Sequence, residues 1–182
     1  MRPLLPLLKE KGARLITNMG SANPIAAGQK IVQLAEEMGT EICVAVVTGD
    51  DVLDVLDPDA ASMEDGKPIS SHGRVLSANA YLGSDAIVPA LASGADVVIT
   101  GRVADPSLVL GPVLAHYGWG PEQWDQLAGA TMAGHLLECG AQVTGGYFSD
   151  PGFKDVPEPW NFGFPIAEVE SDGSAVITKV AG

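Results

Sequence analysis

Apolar residues follow two rhythms along the chain. Short apolar runs, clearest at Ile42-Cys43-Val44-Ala45-Val46-Val47 and within 95–100, alternate with longer segments in which apolar positions recur every three or four residues. The first rhythm reads as strands covered on both faces and the second as amphipathic helices; their alternation predicts an α/β fold, a parallel sheet with helices on both faces. Leucines at 4, 5, 7 and 8 predict a helix over 4–11 that Gly12 stops, and a strand follows over 13–17. Asn23 reads as a helix cap with Pro24 at the first helical position, where a missing N–H costs nothing. Ile25, Ile31, Leu34, Ala35 and Met38 then form an apolar face that ends at Gly39.

The second strand is placed at 42–47, a short helix at 50–56 and a surface loop at 57–73, where Pro58, Pro68 and two glycines interrupt any period. A third strand is predicted over 74–78, a helix over 84–92 capped by Ser84, and a fourth strand over 95–100. Asp105-Pro106 opens the next helix as cap and first residue, and Pro89 and Pro112 predict kinked or shortened helices. A helix over 124–138 is rich in small residues, which let another element approach closely. A proline-punctuated irregular stretch follows, then a β-hairpin over 166–169 and 175–180 around Ser171-Asp172-Gly173. The chain divides into an α/β core domain at 1–148 and an irregular segment with a C-terminal β-hairpin at 149–182.

Composition narrows the function classes. The 182 residues carry 10 Lys and Arg against 23 Asp and Glu, a net charge of −13 that repels phosphate backbones and anionic lipid surfaces, so neither nucleic acid nor membrane is expected as a partner. No apolar run reaches the roughly 20 residues of a membrane span, and the proline-interrupted amino terminus is unlike a signal peptide, so a cytoplasmic location is expected. Two cysteines, Cys43 and Cys139, give no disulfide framework and are expected as free thiols.

In open parallel sheets, ligands bind beyond the carboxyl ends of the strands. Four polar segments follow the predicted strands, and they are expected to converge on one rim: 17–23 with Asn18, Gly20 and Asn23; 48–51 with Gly49, Asp50 and Asp51; 79–83 with Asn79 and Tyr81; and 100–105 with Thr100, Gly101, Arg102 and Asp105. The first segment lacks the three-glycine dinucleotide fingerprint, and no cofactor is assigned. Arg102 could bind a carboxylate or phosphate with its planar fork, or pair structurally with Asp105 or Asp50. Asp50 and Asp51 could act as general bases or hold a cation, or one of them could cap the helix that follows. On the predicted helix at 124–138, His135, Glu138 and Cys139 share a face. His135 and Glu138 are acid–base candidates; a metal held by the three is the weaker alternative, and simple packing is a third. The aromatic residues between Trp119 and Phe164 could wall an apolar pocket or pack against irregular backbone.

Three stretches together resemble one known family: 75–83 (Val-Leu-Ser-Ala-Asn-Ala-Tyr-Leu-Gly), 94–107 (Gly-Ala-Asp-Val-Val-Ile-Thr-Gly-Arg-Val-Ala-Asp-Pro-Ser) and 134–148 (Gly-His-Leu-Leu-Glu-Cys-Gly-Ala-Gln-Val-Thr-Gly-Gly-Tyr-Phe). They are similar to the AtuA-type acyclic terpene utilisation proteins, as are 18–24 and 47–51. The resemblance implies a role in catabolism of acyclic terpenes such as citronellol and geraniol, or of branched acids carried as coenzyme A thioesters. It supplies no established catalytic residues. Family members are longer, so the chain is expected to be a piece of such a protein.

The resulting expectation is a lyase, hydratase or hydrolase step on a small-molecule carboxylate or acyl-CoA. In it Asn18, Gly20, Asn23, Gly49, Asn79, Tyr81, Thr100, Gly101, Arg102 and Asp105 bind the ligand, and His135, Glu138, Asp50 and Asp51 do acid–base work. A homo-oligomer is expected. The rival reading is a noncatalytic ligand-binding or subunit-interaction domain, with the small-residue helix around Gly129 and Gly134 packed on another chain; part of a barrel would place function at its strand ends in the same way.

Overall fold

A computed structural model describes residues 1–181. Three short strands, β1 (Leu15–Thr17), β2 (Val44–Val47) and β3 (Val97–Thr100), form a parallel sheet in the order β1-β3-β2. The register sets Thr17 and Val46 on either side of Ile99. β3 is therefore central, and all four of its residues are buried.

Alternation along the strands divides the core into two layers. Val97 and Ile99 pack with Leu5 of α1 (Leu4–Lys11) and with Ile31 and Ala35 of α2 (Pro24–Glu37). On the opposite face Val98 packs with Val47, Ala95, and Ile87 and Leu91 of α3 (Ile87–Ala92). Helices thus cover both faces. The α2 start is built as its sequence predicts, with Pro24 leading and Asn23 Oδ1 accepting from Ala26 N at 2.9 Å.

α4 (Ser107–Tyr117) packs on α3, and α5 (Trp124–Glu138) packs on α4. The hairpin of β4 (Pro165–Val169) and β5 (Ala175–Lys179) docks on α5, and Tyr117 Oη donates to Val169 O at 2.7 Å. The small residues of α5 are what allow these approaches. A Cβ at Gly129 would lie 2.0 Å from Gly173 O in the hairpin turn, and one at Gly134 would lie 2.6 Å from Pro106 O. Gly129 and Gly134 are thus filled by contacts within the chain, which removes them as a surface for another subunit.

Several predicted elements take a different form. The third strand is absent: 74–78 runs irregularly with Leu76 80% exposed, and its end bonds to the segment after β2 through Val52 N to Ala78 O and Ala80 N to Asp50 O. An apolar run without a neighbouring strand in register is not held in a sheet. The helix at 50–56 is a single 3₁₀ turn at Leu53–Val55, and 84–86 is another before α3, with no cap from Ser84. Asp105 does not cap α4, whose side-chain cap is missing; its carboxylate is engaged elsewhere. β2 is an edge strand with Val46 37% exposed, and both cysteines are exposed free thiols. Of the aromatics of the irregular stretch, Tyr147, Phe153 and Trp160 stand more than 80% exposed. No helix among the described residues is long and apolar enough to cross a membrane.

Asp96 ties α1 to the start of β2 at the entry to β3. Its carboxylate accepts from Cys43 N at 2.8 Å, just before β2, and from Lys9 Nζ of α1. The Cys43 N–H, and secondarily Lys9, hold this carboxyl below the usual aspartate range. A depressed folded-state pKa stabilises above the unfolded pKa, and that contribution is lost as pH falls through the folded value. Asp96→Ala is expected to cost about 1–2 kcal/mol in denaturant unfolding at pH 7, and the gap from wild type should narrow as pH falls below about 4.

Candidate functional site

The site is built around one buried carboxylate. β2 ends at Val47, and the turn at Gly49, whose φ of 115° suits glycine, carries the chain into Asp50. Asp50 is 3% exposed, and a carboxylate out of water requires hydrogen-bond donors. Its Oδ2 accepts from Asn79 Nδ2 at 2.9 Å and from Arg102 N at 2.8 Å. Gly101 admits it: a Cβ there would lie 2.1 Å from Asp50 Oδ1. Asp50 thus fastens the segment after β2 to the segments at 79 and 102 through its Oδ2.

The segment after β1 is fixed to the same rim. Asn18 Nδ2 donates to Asp105 Oδ1 at 3.0 Å, and Gly20 packs where a Cβ would stand 2.4 Å from Thr100 O. Thr100 is fully buried and donates its hydroxyl to Gly101 O at 2.9 Å. All four strand-end segments therefore meet, although one of them follows an irregular stretch instead of a strand.

Arg102 stands on this rim without an ion pair. Its guanidinium donates through Nε to Tyr81 Oη at 3.1 Å, bonds the same oxygen through Nη2, and has Cζ 4.7 Å from the Tyr81 ring centroid. Among the described residues no carboxylate lies within ion-pair distance of it. The structural pairing with Asp50 or Asp105 is not what forms. The Tyr81 hydroxyl, with smaller help from Asp105 and Asp50, holds the guanidinium charged even more firmly than usual. Arg102 faces a cleft of about 430 Å³ lined also by Ser21, Ala22, Asp51, Leu53, Leu76, Ser77 and Asn79.

The comparisons with known proteins bear on the whole of this chain. The family model described as acyclic terpene utilisation family protein AtuA matches residues 1–182. The chain belongs to the AtuA family. No curated protein and no solved structure matches it.

In this AtuA chain the remaining candidates fall apart from the rim or into supporting roles. Asn23 caps α2. Asp51 accepts from Leu53 N at 3.1 Å, as a turn-forming aspartate does, while still lining the cleft. His135 and Glu138 lie on α5, 3.4 Å apart, and their bonds are to each other. His135 lines a separate surface pocket with Cys139 and Gln142, and it shares no lining residue with the Arg102 cleft. No group of three or more His, Cys, Asp or Glu side chains that could hold a metal occurs among the described residues.

Ser21 and Ser77 are cleft residues that the sequence reading passed over. Ser77 was hidden inside the supposed third strand, where an alternate position signals only a strand face. Ser21 sits at φ 36°, a left-handed conformation that nothing in the local sequence announces. Since Asp50 fits only against a bare Gly101, Gly101→Ala should lower stability by about 1–3 kcal/mol. Asp50→Ala, which strips both donors of their acceptor, should cost about 3 kcal/mol. Chemical denaturation measures both, and loss of the Arg102 and Asn79 amide dispersion in NMR spectra of the folded variants would report the loosened rim.

Proposed function

We propose that the chain acts in catabolism of acyclic terpenoid or branched acyl compounds by binding a carboxylate or thioester at the Arg102 cleft. The observation that carries this reading is the unpaired guanidinium. In a chain of net charge −13, a cation that avoids its neighbouring carboxylates and rests on a neutral phenol is left to attract an incoming anion. Ser21, Ser77 and Asn79 offer further polar contacts to the bound head group, and the apolar Leu53 and Leu76 suit the carbon skeleton beside it.

Asp51 is the carboxylate at this cleft, so the acid–base step of a lyase, hydratase or hydrolase reaction is assigned to it, with Arg102 polarising the carboxyl or thioester oxygen as charge builds there. Asp50 serves as a positioning residue. The second reading, a noncatalytic ligand-binding domain, is favoured by the separation of His135 and Glu138 from the cleft, which leaves Asp51 without an acid–base partner there.

Calorimetric titration with citronellate and with geranoyl-CoA tests the binding. Arg102→Ala is expected to weaken whichever of the two binds by about 10- to 100-fold, and unchanged affinity would sink the reading. Asp51→Asn separates the two alternatives. An enzyme should keep its affinity and lose about 100-fold or more in turnover, whereas a binding domain shows no turnover to lose.

A further inference from the structure

On the α2 face of the sheet, α1 and α2 do not close over β1. Between them lies a cleft of about 500 Å³ whose walls are almost wholly apolar: Leu4, Leu15, Ala27, Ile31, Leu34 and Ile99 form most of it, with Met19 at one side. Its size falls within the roughly 300–1,000 Å³ of small-molecule sites. Its deepest members, Ile31 and Ile99, are 4% and 3% exposed, so the floor is built from the core itself.

One charged side chain lines this cleft, that of Lys30. Lys30 Nζ donates to Gln33 Oε1 at 2.8 Å, and among the described residues no carboxylate lies within ion-pair distance of it. Its neighbours in sequence differ: Arg2 pairs with Glu37, Lys9 with Asp96 and Lys11 with Glu10.

We infer that this cleft is a second ligand site, for an aliphatic carboxylate whose hydrocarbon chain lies on the apolar walls and whose carboxylate pairs with Lys30. The apolar walls select the chain, and the ammonium without a carboxylate partner selects an anion over a neutral alcohol. This goes beyond the Arg102 cleft and does not rest on it.

Calorimetric titration of the full chain with octanoate, decanoate and decan-1-ol is the test. Decanoate should bind about tenfold more tightly than octanoate, from two additional buried methylenes. Decan-1-ol, or decanoate on Lys30→Met, should bind about fivefold more weakly than decanoate on wild type. Ala27→Trp fills the cleft and should abolish binding with an unchanged circular-dichroism spectrum. If that variant misfolds, Met19→Glu replaces it, since Met19 is 81% exposed and a carboxylate there would repel the ligand. Run in the Arg102→Ala background, which removes the cation of the other cleft, the same titrations should give the same ranking. Absence of chain-length dependence, or binding that survives Ala27→Trp in that background, would each overturn the site. So would a wild-type chain that ignores decanoate yet forms a concentration-dependent dimer that Ala27→Trp dissociates.

Discussion

The burial of Asp50 is the constraint on which the rim depends. Removing a carboxylate from water costs several kcal/mol unless donors replace the solvent, and here the donors come from two distant parts of the chain, Asn79 and the backbone of Arg102. The segment after β2, the irregular segment ending at 79 and the segment after β3 must therefore arrive together. Glycine at 101 is part of the same requirement, since any side chain there would occupy the space of the carboxylate.

The sheet prepares this meeting. Because β3 lies between β1 and β2, its carboxyl end at Thr100 is flanked by both neighbouring strand ends, and Arg102 emerges two residues later at the centre of the rim. The two packed layers hold β3 rigidly, with Val97 and Ile99 buried on one face and Val98 on the other. Membership of the AtuA family places this arrangement in acyclic terpene utilisation, while the chemistry proposed for it follows from the side chains at the rim.

Much of this was legible in the sequence for local reasons. The bounds of α1 and α5, the Asn23-Pro24 start of α2 and the hairpin turn rest on caps, turn residues and periodicity, which act over a few positions. What was misread depends on neighbours distant in sequence. The run at 42–47 is as apolar as the one at 95–100, yet only β3 has a strand on each side, so β2 is left partly exposed. Residues 74–78 carry Val75, Leu76 and Ala78, but only their end is held, by Val52 N on Ala78 O, and no strand forms. Asp105 has the residue type and position of a helix cap, but Asn18 offers its carboxylate a better-placed donor across the rim. His135 and Glu138 share a helix face as predicted, on a helix that the fold directs to the hairpin side instead of to the Arg102 cleft.

The rim also explains how a cation stays available among so many acids. Asp50 and Asp105 are the carboxylates nearest to Arg102 in the charge balance, and either could have neutralised it. Each is already committed: Asp50 to Asn79 and to the Arg102 backbone, Asp105 to Asn18. The guanidinium turns to Tyr81, whose neutral hydroxyl and ring face orient it without cancelling its charge. Two amide side chains, Asn18 and Asn79, thus satisfy the two acids with neutral donors, and the guanidinium beside them keeps its charge without an ion pair. A lysine at 102 could not reproduce this, because a point-like ammonium lacks the planar fork that lies on Tyr81 while presenting further N–H groups outward.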